Sequence, residues 1–336
     1  MTPLILGLAG PAVTEEERAF FRDVDPAGFI LFRRNVVDRA QMRALTDDLR
    51  AISGREDVPI LIDQEGGRVA RMQPPEWPPF PPGAAFDRLY DISPMSAIEA
   101  MRANAQALAL MLREVGVNVD CLPLLDVRQP GAHDIIGDRA LGSEPLRVAA
   151  LGRATLEGLK AGGTIGVVKH MPGHGRAMAD SHVELPVVDA PAEALETDLK
   201  PFMALNGAPM AMTAHVIYTA WDGDRCASLS AKVIGEIVRG RIGFDGLLMS
   251  DDLGMHALKG SFTERAAGVI AAGCDIALHC SGDMAEMCAC ADGVGEISTR
   301  GRERLDAAMA TISGAVPAAS FEESIANRDA LLALTA

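Results

Sequence analysis

Thr164-Ile165-Gly166-Val167-Val168-Lys169-His170-Met171-Pro172-Gly173-His174-Gly175-Arg176 opens as an apolar strand and ends in ionisable side chains. The next ten residues, Ala177-Met178-Ala179-Asp180-Ser181-His182-Val183-Glu184-Leu185-Pro186, add an aspartate and a third histidine. A buried strand that runs straight into such groups usually delivers them to a site. Pro172, Gly173 and Gly175 shape the backbone at that point, and three histidines within thirteen residues are more than a merely solvated loop needs.

The same grammar repeats outward in both directions. Apolar runs at 4–8, 28–32, 58–62, 118–125, 164–168, 209–213, 246–249 and 274–278 predict strands. Most of them end in polar residues: Asp63 after the third, Asp126 after the fourth, His215 after the sixth, Ser250-Asp251-Asp252 after the seventh and His279 after the eighth. Between them lie amphipathic stretches with helix start signals. Thr14 followed by Glu17 is a capping box, and Met42, Leu45, Leu49 and Ile52 recur at helical spacing after Asp38. Ser96 with Glu99 predicts a helix start that runs to a stop at Gly116, and Ser143 with Pro145 predicts another. Further helices are expected over 192–205, after Ser230, over 263–272 and over 320–336. The proline-rich 74–82 is neither helix nor central strand and reads as a stiff inserted loop.

About eight strand–helix units predict a single (β/α)8 TIM-type barrel over residues 1–336, with allowance for irregular first units and with a terminal helix. The competing architecture is an open doubly wound sheet, but no G-x-G-x-x-G follows the first strand.

Composition narrows the function. The 336 residues are 49% hydrophobic and 23% charged, which rules out disorder as a description of the whole chain. A net charge of −15 argues against a general phosphate-backbone binder, so no nucleic-acid partner is expected. The N-terminus lacks a basic signal-peptide region and no apolar run reaches membrane-span length, so a cytoplasmic location without a membrane partner is expected. Six cysteines without C-x-x-C spacing read as reduced core or helix residues. Zinc binding by Cys280, Cys288, Cys290 and His279 is disfavoured, because i and i+2 side chains on a helix do not converge.

The stretch K-H-M-P-G-H-G-R-A-M-A-D-S-H from Lys169 resembles the signature of glycoside hydrolase family 3, in its β-N-acetylhexosaminidase branch involved in peptidoglycan recycling. That branch usually reads K-H-F-P-G-H-G-D-T-x-x-D-S-H, so Met171, Arg176 and Ala177 depart from it. Five more matches follow in order: D-Q-E-G-G-R-V-A-R from Asp63, G-D-R-A from Gly137, D-L-K-P-F from Asp198, M-T-A-H-V from Met212 and F-D-G-L-L-M-S-D-D-L-G-M from Phe244.

The resemblance implies that Asp251 is the nucleophile, that His182 is the general acid/base and that Asp180 is its partner. It also implies that Asp63, Arg71, Arg139, Lys169 and His170 hold sugar hydroxyls. The residue types suit these roles, since an imidazole titrates near neutrality and a neighbouring carboxylate can orient it. It would take the place of the second carboxylate found in most glycosidases. Asp251 and Asp252 should point to opposite sides by strand alternation.

Other readings of the same residues stay open: a buried Asp63–Lys169 ion pair, surface positions for Arg71 and Arg139, and backbone-satisfying roles for His174 and His215. The expected enzyme is a cofactor-free, metal-free, retaining exo-β-N-acetylglucosaminidase. Its substrate would be a saccharide or muropeptide such as a GlcNAc-1,6-anhydro-N-acetylmuramyl peptide, and it would act as a monomer. The alternatives are a retaining β-glucosidase or other family 3 β-glycosidase, a metal-dependent barrel hydrolase using His170, His174, His182 and Asp180, a Lys169 Schiff-base enzyme, or a catalytically silent sugar-binding protein.

Overall fold

The computed structural model of the chain describes residues 1–131, 136–177, 185–314 and 319–335. Eight parallel strands close into a barrel in sequence order: β1 (Thr2–Leu6), β2 (Pro26–Leu31), β3 (Ile60–Ile62), β4 (Val119–Asp120), β5 (Ile165–Met171), β6 (Met210–Thr213), β7 (Leu247–Asp252) and β8 (Ile276–His279). Pairing of Leu4 with Ala277 closes the ring between β1 and β8. The expected barrel is therefore present, with a register shift between β1 and β2 at Thr2–Ile5 and further irregularity in the third and fourth units.

The fourth strand is far shorter than the apolar run 118–125 suggested. Pro123 lacks an N–H and interrupts the ladder, which resumes only as an isolated bridge between Leu124 and Lys169. The third strand is extended by a small antiparallel pair, Gln64–Gly66 with Val69–Ala70, before the chain enters the proline-rich loop.

Helix starts follow local chemistry. Thr14 caps α1 (Glu15–Val24) with the reciprocal Glu17 bond, and Asp38 caps α2 (Arg39–Ser53). The helix assigned to a Ser96–Glu99 box instead begins earlier. There are two helices, α3 (Gly83–Ile92) and α4 (Pro94–Glu114), and Pro94 in the first turn sets the second start. Ser96 lies inside α4 and its hydroxyl meets that of Ser93 at 2.9 Å. Likewise α5 (Pro145–Gly162) is opened by Pro145, with no side-chain cap. The fifth unit carries α6 (Ala192–Ala204), and in the sixth the segment after Ser230 is a π-helix, Val233–Arg241. α7 (Phe262–Ala272), α8 (Met284–Asp292), α9 (Thr299–Ala310) and α10 (Phe321–Leu332) complete the chain. α10 packs on α4, with Arg328 bonding Asn104 at 3.2 Å and covering the Phe80 ring. Among the described residues no helix is long and apolar enough to cross a membrane.

Side chains alternate along each strand between two cores. Leu4, Leu6, Phe29, Leu31, Ile60, Ile62, Val168, Ala211, Leu248 and Ala277 belong to the layer under the helices. Ile5, Ile30, Leu61, Val119, Val167, Met210, Met212, Leu247, Met249, Ile276 and Leu278 fill the barrel interior. Leu305, Ala308 and Met309 of α9 join that inner cluster and plug its N-terminal end.

Candidate active site

Extending the inner row by two residues on five of the eight strands gives the site. Ile30 leads to Phe32, Leu61 to Asp63, Val167 to Lys169, Met249 to Asp251 and Leu278 to Cys280. All five of these residues line one cavity at the C-terminal mouth of the barrel, roughly 400 Å³ in volume. Its wall also includes Glu65, Arg68, Arg71, Arg139, His170 and His174, with Val69, Ile136 and Met255 supplying apolar surface.

One half of the mouth is a network of ion pairs. Lys169 Nζ lies 3.0 Å from Asp63 Oδ1 and 2.7 Å from Glu65 Oε1, and its side chain is 2% exposed. Arg71 donates to Asp63 Oδ2 at 2.9 Å, while Arg139 forks onto both Glu65 oxygens at 2.7 and 2.8 Å. Burial alone would raise the Asp63 and Glu65 carboxyls. Lys169 with Arg71, and Lys169 with Arg139, outweigh it and hold both below the usual carboxylate range. The same carboxylates keep the buried Lys169 firmly protonated, against a desolvation that would lower it. The Asp63–Lys169 pair read as one alternative from sequence is therefore real, and it lines the cavity as well. Arg71 and Arg139 are part of this network and not plain surface arginines.

Asp126 organises the next layer. Its Oδ2 meets His170 Nδ1 at 2.8 Å, and its Oδ1 accepts from the backbone N–H of His170 at 3.2 Å and of His174 at 2.6 Å. Burial pushes the Asp126 carboxyl up, but the neighbouring His170 and these hydrogen bonds hold it at about 2. The His170 ring orientation is thus fixed by an anion behind it. His174 lies edge-on to His170, and burial together with His170 lowers its imidazole to about 4, so it is neutral at pH 7.

The two adjacent aspartates of β7 are separated by what they bond. Asp252 Oδ1 accepts from the amides of Gly254 at 2.9 Å and Cys280 at 3.0 Å, tying the strand end to β8. Asp251 follows the inward row and takes the Asp252 amide at 2.9 Å. The expectation that strand alternation sends the two to opposite sides does not hold: Asp252 lines the same cavity as Asp251, because the β7–β8 register shifts between Met249 and Asp252. His215, fully buried, bonds Ser228 Oγ at 2.8 Å and the Asp252 carbonyl at 2.9 Å, so its role is support behind the site.

Of the residues picked out from sequence, Asp63, Arg71, Arg139, Lys169, His170 and Asp251 converge on the cavity. Asp180 and His182 lie outside the described residues. Glu65 and Asp126 were missed. Each had a signal: Glu65 is an acid between a buried strand and a Gly-Gly turn, and Asp126 closes an apolar run. Among the described residues there is no cluster of His, Cys, Asp and Glu arranged to hold a metal ion.

Residues 5–314 match the model of the glycosyl hydrolase family 3 N-terminal domain. A curated beta-hexosaminidase from Bordetella avium (strain 197N) is 38% identical over 284 residues, covering 83% of this chain and 80% of that protein. One from Alkalilimnicola ehrlichii (strain ATCC BAA-1101 / DSM 17681 / MLHE-1) is 40% identical over the same length, again covering 83% of this chain and 80% of the relative. Native NagZ from Neisseria gonorrhoeae superimposes with a TM-score of 0.86 at 31% identity, covering 98% of this chain and 97% of that one. The same protein in complex with N-trifluoroacetyl-D-glucosamine also gives 0.86, at 30% identity, covering 99% and 98%.

Proposed function

The chain belongs to glycoside hydrolase family 3, and from that premise we propose that it is a retaining exo-β-N-acetylglucosaminidase acting on cell-wall fragments. The observation that carries this reading is the inward-facing Asp251 carboxylate in a cavity of roughly 400 Å³ ringed by charge-paired donors and acceptors. That space suits one sugar ring, and Asp63, Arg71, Arg139, Lys169 and His170 can divide its hydroxyls among them. The N-acylglucosamine complex of the gonococcal relative supports the acetamido sugar.

In the proposed reaction Asp251 attacks the anomeric carbon and forms a glycosyl ester, while His182 protonates the departing glycosidic oxygen. His182 then takes a proton from water, which attacks the same carbon from the face just vacated; two inversions give net retention. Asp180 orients the imidazole and stabilises its charged form. Lys169 and Arg139 do not exchange protons in this scheme, since their carboxylate partners hold them charged. The natural leaving group is proposed to be a 1,6-anhydro-N-acetylmuramyl peptide, the location the cytoplasm and the working form a monomer.

One assay tests the core of this. An aryl β-N-acetylglucosaminide should be hydrolysed with retention, far faster than the matching β-glucoside, and without loss of rate in a chelator. A fluorosugar should label Asp251. Preference for the glucoside would move the enzyme to another family 3 activity, and label on Asp252 would overturn the nucleophile assignment.

A further inference from the structure

The chain between the last cavity residue of β5 and residues 178–184 is fixed from two sides. On the inner side Asp126 takes the His174 amide, and Gly175 lies so close to the next loop that a Cβ there would sit 2.0 Å from the Val127 carbonyl oxygen. The Gly175 carbonyl in turn accepts from Gln129 N–H at 3.2 Å. On the outer side Tyr218 donates to the Gly173 carbonyl at 2.8 Å.

Arg176 completes the outer fixing and is one of the three places where the motif departs from its usual pattern. Its Nε donates to Asp198 Oδ2 and its Nη2 to the Ala194 carbonyl at 2.9 Å. Ala194 and Asp198 are one turn apart on α6, so a single planar guanidinium bridges both. Gly173 is held to glycine by the same helix: its φ is +138° and an added Cβ would lie 3.1 Å from the Asp198 Cβ.

Asp198 is 2% exposed, and its Oδ1 has no hydrogen-bond partner among the described residues. Arg176 is therefore the group that compensates a buried carboxylate, and moving the guanidinium would strand it. Buried ion pairs contribute little net stability compared with apolar replacements, and their better-attested use is to fix one geometry over others. The geometry fixed here is the direction in which the chain leaves Ala177, five residues before His182.

We propose that Arg176, anchored on Asp198 and the Ala194 carbonyl of α6, is a positioning residue for the acid/base step. It touches neither the cavity nor the sugar; it sets where the segment bearing His182 starts. The inference rests on His182 being the acid/base.

The test is a double-mutant cycle with Arg176→Ala and His182→Ala in the full chain. It is read as kcat/KM on a GlcNAc disaccharide and on an aryl β-N-acetylglucosaminide with an acidic phenol. Arg176→Ala should slow the disaccharide by roughly 10–10²-fold, the scale of a slight misplacement of a catalytic group. The aryl substrate, which needs little protonation, should change by only about twofold. In the His182→Ala background the Arg176 substitution should add almost nothing, and Arg176→Lys, which can keep one of the two bonds, should restore part of the loss.

An equal loss on both substrates, or a full Arg176 effect persisting without His182, overturns the inference. If His182→Ala itself fails to discriminate between substrates, the acid/base reading falls and takes the inference with it. If it discriminates and Arg176→Ala does not, only the inference falls. Should Arg176→Ala not fold, Asp198→Asn enters the same cycle, since it keeps an acceptor for Nε but removes the charge, with circular dichroism as the check on folding.

Discussion

The two ends of the barrel are about equally rich in ion pairs and differ in where those pairs point. At the N-terminal end Asp275 receives Arg239 at 2.8 Å, Arg304 at 2.9 Å and the Leu248 amide at 2.9 Å, while Arg304 also holds Asp245 at 2.6 Å. Every one of these groups lies around a plug of Leu305, Ala308 and Met309, outside the barrel interior. A surface groove of roughly 510 Å³ even runs past Asp245, Arg300 and Arg304, exceeding the roughly 400 Å³ of the mouth cavity. Neither charge density nor cavity size marks the functional end. What marks it is that three inward rows turn from apolar to ionisable, so that Asp63, Lys169 and Asp251 meet in one mouth cavity.

Substitutions at the two ends should separate these roles. The largest effect belongs to Asp251→Asn, which should reduce kcat by more than the roughly 10²–10⁴-fold expected for loss of a general acid. Its melting temperature should stay near that of the parent. Asp252→Ala should do the reverse in emphasis, lowering stability by about 1.5–3 kcal/mol because the Gly254 and Cys280 amides lose a charged acceptor. Equal activity losses for the two variants in steady-state kinetics would erase the distinction between a nucleophile and a strand tie.

Lys169→Met should damage both properties. It removes the cation shared by Asp63 and Glu65 and leaves two buried carboxylates facing each other, at a cost on the order of 3–5 kcal/mol. Activity should fall together with denaturant resistance, and the loss of stability should shrink at low pH, where those carboxyls become protonated. Asp275→Ala at the opposite end should also destabilise, by less than that amount because Arg239 and Arg304 keep some contact with water. Its kcat/KM per folded molecule should be unchanged. A lowered kcat/KM there would mean that the N-terminal network is coupled to the site.

The sequence made one class of information legible and hid another. Positions set by strand period could be read directly: Asp63, Lys169 and Asp251 each continue an apolar row, and the barrel followed from eight such rows. Backbone-shaping residues could be read too, as with the Thr14 capping box. What could not be read was which charged group meets which across the fold. Glu65 finds Arg139 over a separation of 74 residues, and Asp126 finds His170 over 44; neither pairing has a local signature. Proline misled in both directions. Pro94 starts a helix earlier than Ser96 suggested, and Pro123 cuts short a strand whose apolar run continues to Leu125.

The smallest predicted effect is a cancellation between two groups, His174 within the 172–177 segment and Asp198 packed beside it, that shift in opposite senses. His174 is lowered to about 4 by burial and by His170, so the unfolded chain takes up its proton first as pH falls below about 6.5. Its contribution to stability is full above that pH and is lost progressively toward pH 4. Asp198 is raised to about 6 by burial, which Arg176 only partly offsets, so here the folded chain takes up the proton first. Stability from this group therefore grows as pH falls from about 6 toward 4, because the folded state binds more protons than the unfolded one. The two slopes have opposite sign over the same window, so these two contributions should largely cancel between pH 6 and 4, while the buried His215 and His279 imidazoles, both lowered, and the Asp120 carboxyl, raised, set the slope that the parent shows.

Single substitutions uncover the parts. Asp198→Asn removes the rising contribution and should make stability fall more steeply toward pH 4 than it does in the parent. His174→Asn removes the falling one and should tilt the curve the other way relative to the parent. Below pH 4 the parent should weaken regardless, as Asp126, held at about 2, loses its carboxylate. Parallel curves for all three proteins between pH 6 and 4 would mean that neither His174 nor Asp198 carries the shift its surroundings impose.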